Sequence, residues 1–282
     1  MSHPSSTAAR EVTRIVNPRF EPGRVDGHRA RRLIDGRDVP ATDPFLLMAE
    51  DHMPRDAFSR HPHRGIETVT LVLDGAIEHF DSAGHTGLIV AGDAQWMTAG
   101  RGVTHEENAV AGSMARTLQL WLNLPAGDKM AEPRYQDLRG ATLPVRREPG
   151  VEVKVMSGRS GDIVSPTLNH VPVTALDARI DPGASFRQDL EPDTNAFVLV
   201  LDGDVRIGMQ AISVGEGELA WLTRSDGPEG SQVTVAAASR GARMLLFASP
   251  PLREPVVFGG PFVMNTQAEV DQAFADYRDG RF

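Results

Sequence analysis

The sequence predicts an all-β chain folded as two tandem β-barrels with a short helix at the C-terminus. Three observations predict it. The 282 residues include 27 glycines and 20 prolines spread along the chain, the punctuation of turn-rich β structure. A strand-rich block occurs twice. Clear helical periodicity is confined to the tail.

The duplicated block begins at Thr70, where TLVLDGAIEH runs to His79 and GDAQWMT follows from Gly92 to Thr98. Its second copy is VLVLDGDVRI, Val198 to Ile207, followed by GELAWLT from Gly217 to Thr223. The offsets, 198 − 70 = 128 and 217 − 92 = 125, keep both order and spacing. Two matches in the same order indicate a duplicated β-domain. Asp-Gly between apolar runs predicts a two-residue hairpin in each copy, because both central residues of such a turn need positive φ.

The predicted organisation is a flexible N-terminal tail over 1–12, a metal-binding barrel over 13–130, and a region over 131–282 that connects to a second, metal-free barrel and ends in the helix. Between the copies, Pro125, Pro133, Pro144 and Pro149 mark a long connection that still carries Tyr135 and Leu138. At the C-terminus Thr266 and Glu269 form a capping box, Val270, Phe274 and Tyr277 recur at helical spacing, and Gly280 stands near the stop.

Composition narrows the function. A net charge of −9 and a pI of about 5.5 argue against direct binding to nucleic acid or an anionic membrane. The absence of cysteine removes disulfides, thiolate metal sites and cysteine nucleophiles. No apolar run approaches membrane-spanning length, and MSHPSSTAAR lacks a secretory apolar core, so a cytoplasmic protein is expected.

The nine histidines are His3, His28, His52, His61, His63, His79, His85, His105 and His170. None follows residue 170, so the second copy cannot repeat any imidazole chemistry of the first. In SRHPHRGIETV, His61 and His63 lie two apart, and in an extended chain they share a face. Pro62 points the other way and suits an edge strand. In AGRGVTHEEN, His105 and Glu107 are again two apart. If the two strands are neighbours, three imidazoles and one carboxylate converge, a nitrogen–oxygen ligand set without sulfur. Glu67, at even spacing from His63, is the alternative carboxylate or a hydrogen-bonding neighbour; Glu107 is favoured. His79 and His85 are expected on the surface or in a pocket wall, and His52 at the pocket mouth.

These residues carry a family resemblance. HPHRGIETVT, DAQWMTAGRGVTHEE, LQLWLNLPAGDKMAEPRYQ and REPVVFGGPFVMNT, with DPFLL near the start, resemble the signature stretches of pirins, bicupins of the cupin superfamily. The match runs through nearly the whole chain after the tail and is looser between the copies and in parts of the second. The resemblance implies two cupin barrels and an iron site in the first, with ligands His61, His63, His105 and Glu107, which supports Glu107 over Glu67. Fe²⁺ is the expected metal, while Ni²⁺, Co²⁺, Mn²⁺ and Cu²⁺ suit the same donors. It further implies quercetin 2,3-dioxygenase-like chemistry, in which dioxygen opens the central ring of a flavonol with release of carbon monoxide and Glu107 accepts the 3-hydroxyl proton. The alternative it implies is an iron-dependent regulatory protein acting through a protein partner, a transcription factor or a metabolic enzyme. A monomer is expected, since two linked cupins can cover each other as a dimer interface would.

Overall fold

The structure is a computed structural model that describes residues 8–82, 84–225 and 230–282. Strand accounts for 56% of it and helix for 7%. The first part of the expected tail, with His3, lies outside the described residues. The rest of that tail is ordered. Strands β1 (Ala8–Ala9) and β2 (Val12–Val16) flank Arg10, whose side chain is buried. Its guanidinium donates to the Thr194 carbonyl at 2.9 Å, the Thr194 hydroxyl at 2.9 Å and Ser231 Oγ at 2.6 Å. A buried cation with that many acceptors fixes its segment.

The chain divides into two compact units, and they are not the linear blocks 13–130 and 131–282. One comprises Pro18–Thr142 with Leu252–Phe282; the other comprises the residues up to Asn17 with Leu143–Pro251. Each chain end therefore belongs to the unit remote from it in sequence.

The first unit holds strands β3 (Glu21–Pro22), β4 (Arg29–Ile34), β5 (Phe45–Met53), β6 (Phe58–His63), β7 (Ile66–Asp74), β8 (Ala76–Asp81), β9 (Thr86–Val90), β10 (Ala94–Thr98), β11 (Val103–Ala109), β12 (Ala115–Asn123) and β13 (Arg134–Leu138), with one helical turn, α1 (Val39–Thr42). They form a seven-stranded sheet, β13-β10-β7-β12-β5-β4-β3, and a four-stranded sheet, β6-β11-β8-β9. The proline-marked connection is thus partly structural, since β13 pairs with β10 from Ala94↔Leu138 to Thr98↔Arg134.

The second unit adds β14 (Val145–Glu148), β15 (Val151–Ser157), the small pair β16 (Arg159–Ser160) and β17 (Ile163–Val164), then β18 (Thr174–Ile180), β19 (Ser185–Leu190), β20 (Asn195–Ile207), β21 (Ile212–Gly215), β22 (Leu219–Leu222) and β23 (Ser231–Ser249). Its main path is β14-β15-β18-β23-β20-β22-β2, with β19 on β23 and β21 on β20. This repeats the first unit strand for strand, with β2 where β13 stands. The duplication read from sequence is therefore a duplication of topology, two cupin barrels.

The Asp-Gly prediction is corrected. Neither pair forms a two-residue hairpin. β7 and β8 belong to different sheets, and β20 passes through the corresponding point as one strand with register shifts around Asp202 and Gly203. Only the glycines have positive φ, 73° at Gly75 and 74° at Gly203. A Cβ on Gly75 would lie 2.4 Å from the Met114 carbonyl, and one on Gly203 would lie 2.2 Å from that of Gly241. The motif turns a barrel corner where the chain leaves one sheet for the other. Burial follows: in β20 the residues before the corner are buried on both faces, while beyond it Val205 and Ile207 point in and Asp204 and Arg206 point out.

The C-terminal segment packs on the first barrel next to the HPH strand. It holds β24 (Val257–Gly259), β25 (Phe262–Met264) and helix α2 (Gln267–Arg278), which starts at the expected capping box. Val263 N donates to the Arg64 carbonyl at 3.1 Å. The Arg64 guanidinium pairs with Asp276 at 2.8 Å and lies 4.4 Å from the centre of the Phe282 ring. Lys129 Nζ, buried, donates to the carbonyls of Gly65 and Val263 and to Asn123 Oδ1 at 2.6–2.9 Å. Gly65 sits at φ +78°, and a Cβ there would lie 2.0 Å from the Val263 carbonyl. Gly65→Ala is expected to cost at least about 2 kcal/mol in urea unfolding, from left-handed strain plus the displaced β25. Unchanged stability would mean this packing is dispensable. No described helix is long and apolar enough to cross a membrane.

Candidate metal centre

β6 is the edge of the four-stranded sheet, where Pro62 forfeits no needed ladder bond. Its neighbour is β11, with Val103 opposite His63 and His105 opposite His61. The register slips between His105 and Glu107, because Phe58, not residue 59, faces Glu107. This bulge adds one residue to β6 just before His61. His61 Nδ1 then meets the Ser59 carbonyl at 2.8 Å; as an N–H donor there, it leaves Nε2 with a free lone pair.

The expected convergence of imidazoles occurs. Ring centroids lie 4.9 Å apart for His61 and His63, 4.6 Å for His61 and His105, and 5.1 Å for His63 and His105. One nitrogen from each lies within 4.8 Å of the others. His63 and His105 are buried and His61 is half-buried. Neither nitrogen of His63 has a hydrogen-bond partner, and neither has His105 Nε2. A buried polar atom left unpaired costs about 1–3 kcal/mol. Such atoms on two of the three clustered rings fit a metal ion: each ring offers one nitrogen, these nitrogens converge, and a cation takes one lone pair from His63 and one from His105.

Electrostatics agree. Burial, then the neighbouring His61, pushes the pKa of His63 down to about 3, against the smaller opposing influence of the Pro261 carbonyl. Burial, then His63, His61 and His79, holds His105 well below the ordinary imidazole range. At neutral pH both rings are uncharged and keep a lone pair for a cation.

Glu107 is buried on the same strand as His105, and the clustered ligand atoms do not include its carboxylate. That carboxylate accepts from Thr70 Oγ1 at 3.0 Å and from Gln119 Nε2 at 2.7 Å. Gln119 Oε1 accepts in turn from Trp121 Nε1 at 2.9 Å, and the Trp121 ring stands edge-on to His63. Glu67 lies elsewhere. The chain turns through Gly65 between β6 and β7, so even spacing from His63 no longer means a shared face. Three residues before Thr70, Glu67 points to the opposite side of β7, where it accepts from Thr98 Oγ1 at 2.7 Å.

The other histidines separate. His79 is buried behind the cluster, with Nε2 3.1 Å from His105 Nδ1. His85 is mostly exposed and bonded to Asp81. His52 shares the Glu50 face of β5, edge-on to Phe20, and His28 is buried with Nε2 2.8 Å from Asp51. Sequence reasoning missed Thr70, Gln119 and Trp121. A signal existed: TLVL and LQLW each place one polar residue inside an apolar strand, and Thr70 and Gln119 are cross-strand partners.

The second barrel offers an internal comparison. The offset of 128 equates His79 with Ile207, and the pairs His79↔Glu107 and Ile207↔Val235 coincide. His105 then corresponds to Val233, His61 to its partner Gln188, and His63 to Leu190 opposite Ser231. All five counterparts are buried. Phe186 faces Val235 as Phe58 faces Glu107, so the scaffold is kept while the ligand positions carry three aliphatic residues and a glutamine whose carboxamide is hydrogen-bonded to Ser160 and Arg159. In the first barrel, His61→Ala is expected to lower metal affinity at least about tenfold while circular dichroism stays unchanged, more than a supporting hydrogen bond's loss at its lower bound. Undiminished metal content in that variant would remove His61 from the site.

Similarity to known proteins identifies the family. The family model described as Pirin matches residues 28–122, and that of the Pirin C-terminal cupin domain matches 175–282. Pirin-like protein 2 of Arabidopsis thaliana is 42% identical over 259 residues, 91% of this chain and 80% of that protein. The chain belongs to the pirin family. Pirin of Homo sapiens is 39% identical over 267 residues, covering 90% of this chain and 88% of that protein. The crystal structure of a quercetin 2,3-dioxygenase from Acinetobacter baumannii has 30% identity and a TM-score of 0.86, covering 98% of this chain and 99% of that one. The C-terminal pirin match includes the segment from Leu252 that packs on the first barrel here.

Proposed function

We propose that the chain is a metal-dependent dioxygenase of the pirin type that opens flavonols such as quercetin with dioxygen. The observation that carries this reading is the convergence of three imidazoles, two of them buried with partner-free nitrogens, beside a hydrogen-bonded carboxylate in the barrel. A structural relative named quercetin 2,3-dioxygenase, matched over almost its full length, supports the substrate class.

His61, His63 and His105 would hold the ion, with Glu107 as the fourth ligand. Fe²⁺ is the proposed occupant; Ni²⁺, Co²⁺, Mn²⁺ and Cu²⁺ satisfy the same nitrogen and oxygen donors. The bound ion would supply Lewis acidity and one-electron chemistry toward dioxygen. The protein does the rest. Glu107 accepts the proton of the flavonol 3-hydroxyl, and Thr70 and Gln119 hold that carboxylate in place. Trp121 keeps the carboxamide of Gln119 from turning over, since its N–H needs the oxygen side. The half-buried Trp121 ring also gives a flat substrate an aromatic wall beside His63.

The test is dioxygen uptake with quercetin by protein loaded separately with each of the five metals, with carbon monoxide measured alongside. Quercetin-dependent uptake with carbon monoxide release is expected for at least one metal and absent in His61→Ala. No uptake with any metal, while an established quercetin dioxygenase is active in parallel, would overturn the reading.

A further inference from the structure

We propose that His79 is a positioning residue for the metal centre: it accepts the Nδ1 proton of His105 and so turns His105 Nε2 toward the ion. The inference rests on the metal centre proposed above, and not on the choice of substrate.

Geometry is the first support. His105 Nδ1 and His79 Nε2 are 3.1 Å apart, and both residues are buried. A neutral imidazole has one donor and one acceptor nitrogen. For His105 Nε2, which faces the cluster without a partner, to present a lone pair, the proton must sit on Nδ1. His79 Nε2 is the atom placed to receive it, which fixes the His79 proton on Nδ1. β11 runs between β6 and β8, so His105 is held from both sides: it faces His61 across one ladder, and across the other, where Asp81 is opposite it, it meets His79 diagonally. Such outer partners set the tautomer and ring orientation of ligating histidines.

The second support is independent and comes from the chain's own repeat. The second barrel keeps the corner glycine, the tryptophan three residues after the acid, and the phenylalanine opposite position 107. It loses the ligands, and it loses His79 with them: Ile207 and Val233 stand where His79 and His105 stand. A histidine required by the barrel would survive in the copy. This one is absent where its imidazole partner is absent.

The experiment is Co²⁺ titration of the full chain in competition with a chromophoric chelator, with the visible d–d spectrum of the Co²⁺ form. His79→Ile is expected to lower Co²⁺ affinity by about 10–100-fold and to alter the d–d bands, while metal-free unfolding changes little. His79→Gln, whose carboxamide oxygen accepts a hydrogen bond, is expected to recover most of the affinity. In the metal-free parent, long-range ¹H–¹⁵N spectra are expected to place the His105 proton on Nδ1, and in His79→Ile on both nitrogens. Should His79→Ile not fold, His79→Met carries the same expectation, since a thioether accepts only weakly. Parental affinity and spectrum in His79→Ile, or a His79→Gln as weak as His79→Ile, would overturn the proposal. Lack of quercetin turnover leaves this result untouched, whereas failure of the parent to bind Co²⁺ would overturn the centre and the role of His79 together.

Discussion

Glu107→Gln is expected to cut quercetin turnover by roughly 10²–10⁴-fold, the usual contribution of a general base. The substitution is nearly isosteric, and its surroundings accept it. The new carboxamide oxygen can take the Gln119 Nε2–H bond, and its NH₂ can donate to the Thr70 hydroxyl. Gln119 itself cannot turn over to help, because Trp121 holds its oxygen. The shape of the site is kept, while the capacity to take a proton and the negative charge of the fourth ligand are removed. Metal affinity is expected to fall less than turnover, because the three histidine ligands remain and a carboxamide oxygen can still coordinate in place of the carboxylate. The check is steady-state turnover of metal-reconstituted parent and variant with metal content measured on the same samples. Activity within about threefold of the parent at equal occupancy would remove Glu107 from proton transfer.

What the sequence revealed and what it hid follow one division. Alternation along a single strand was legible. The spacing of His61 and His63, and of His105 and Glu107, is a period-2 statement about local geometry, and it holds because each pair lies within one unbroken strand. Glu67 shows where that reasoning ends: two residues at even spacing share a face only if no turn intervenes, and Gly65 intervenes. Asp-Gly was misread for a related reason. Local turn chemistry identifies where the chain needs positive φ, but whether the next segment returns to the same sheet or starts another depends on pairing with β11, more than twenty residues on. The assignment of β2 and of the C-terminal segment to opposite units is non-local too. Their partners, such as Leu219–Leu222 for β2 and Arg64 for Val263, are unrelated in sequence position. His79 was legible in principle. Aligning the two copies places Ile207 under it, and that exchange of imidazole for an aliphatic group parallels the exchange at His105.

The metal-free chain is expected to lose stability steeply as pH falls below about 6.5, and buried His63 is one reason. In the folded chain its pKa is depressed to about 3, because burial first, and then His61, disfavours the charged ring. In the unfolded chain it returns to about 6.5. Between those values the unfolded chain binds a proton that the folded chain refuses, so acid favours unfolding. The contribution of His63 is fully present above pH 6.5 and declines as pH drops toward 3, with a limiting slope of about 1.4 kcal/mol per pH unit. His105, also depressed by burial, adds a slope of the same sign. His63→Leu removes one of these titrations and two buried nitrogens without hydrogen-bond partners. Urea unfolding from pH 7 to pH 4.5 should therefore give a parent curve steeper by close to one proton, and a metal-free variant more stable than the parent by a margin that widens in acid. Parallel curves would mean that His63 is solvated or already paired in the metal-free fold. The sign of this effect is also an argument about purpose: the strand pair keeps unpaired imidazoles buried at a cost that grows with acidity, and only a bound cation turns that cost into binding energy.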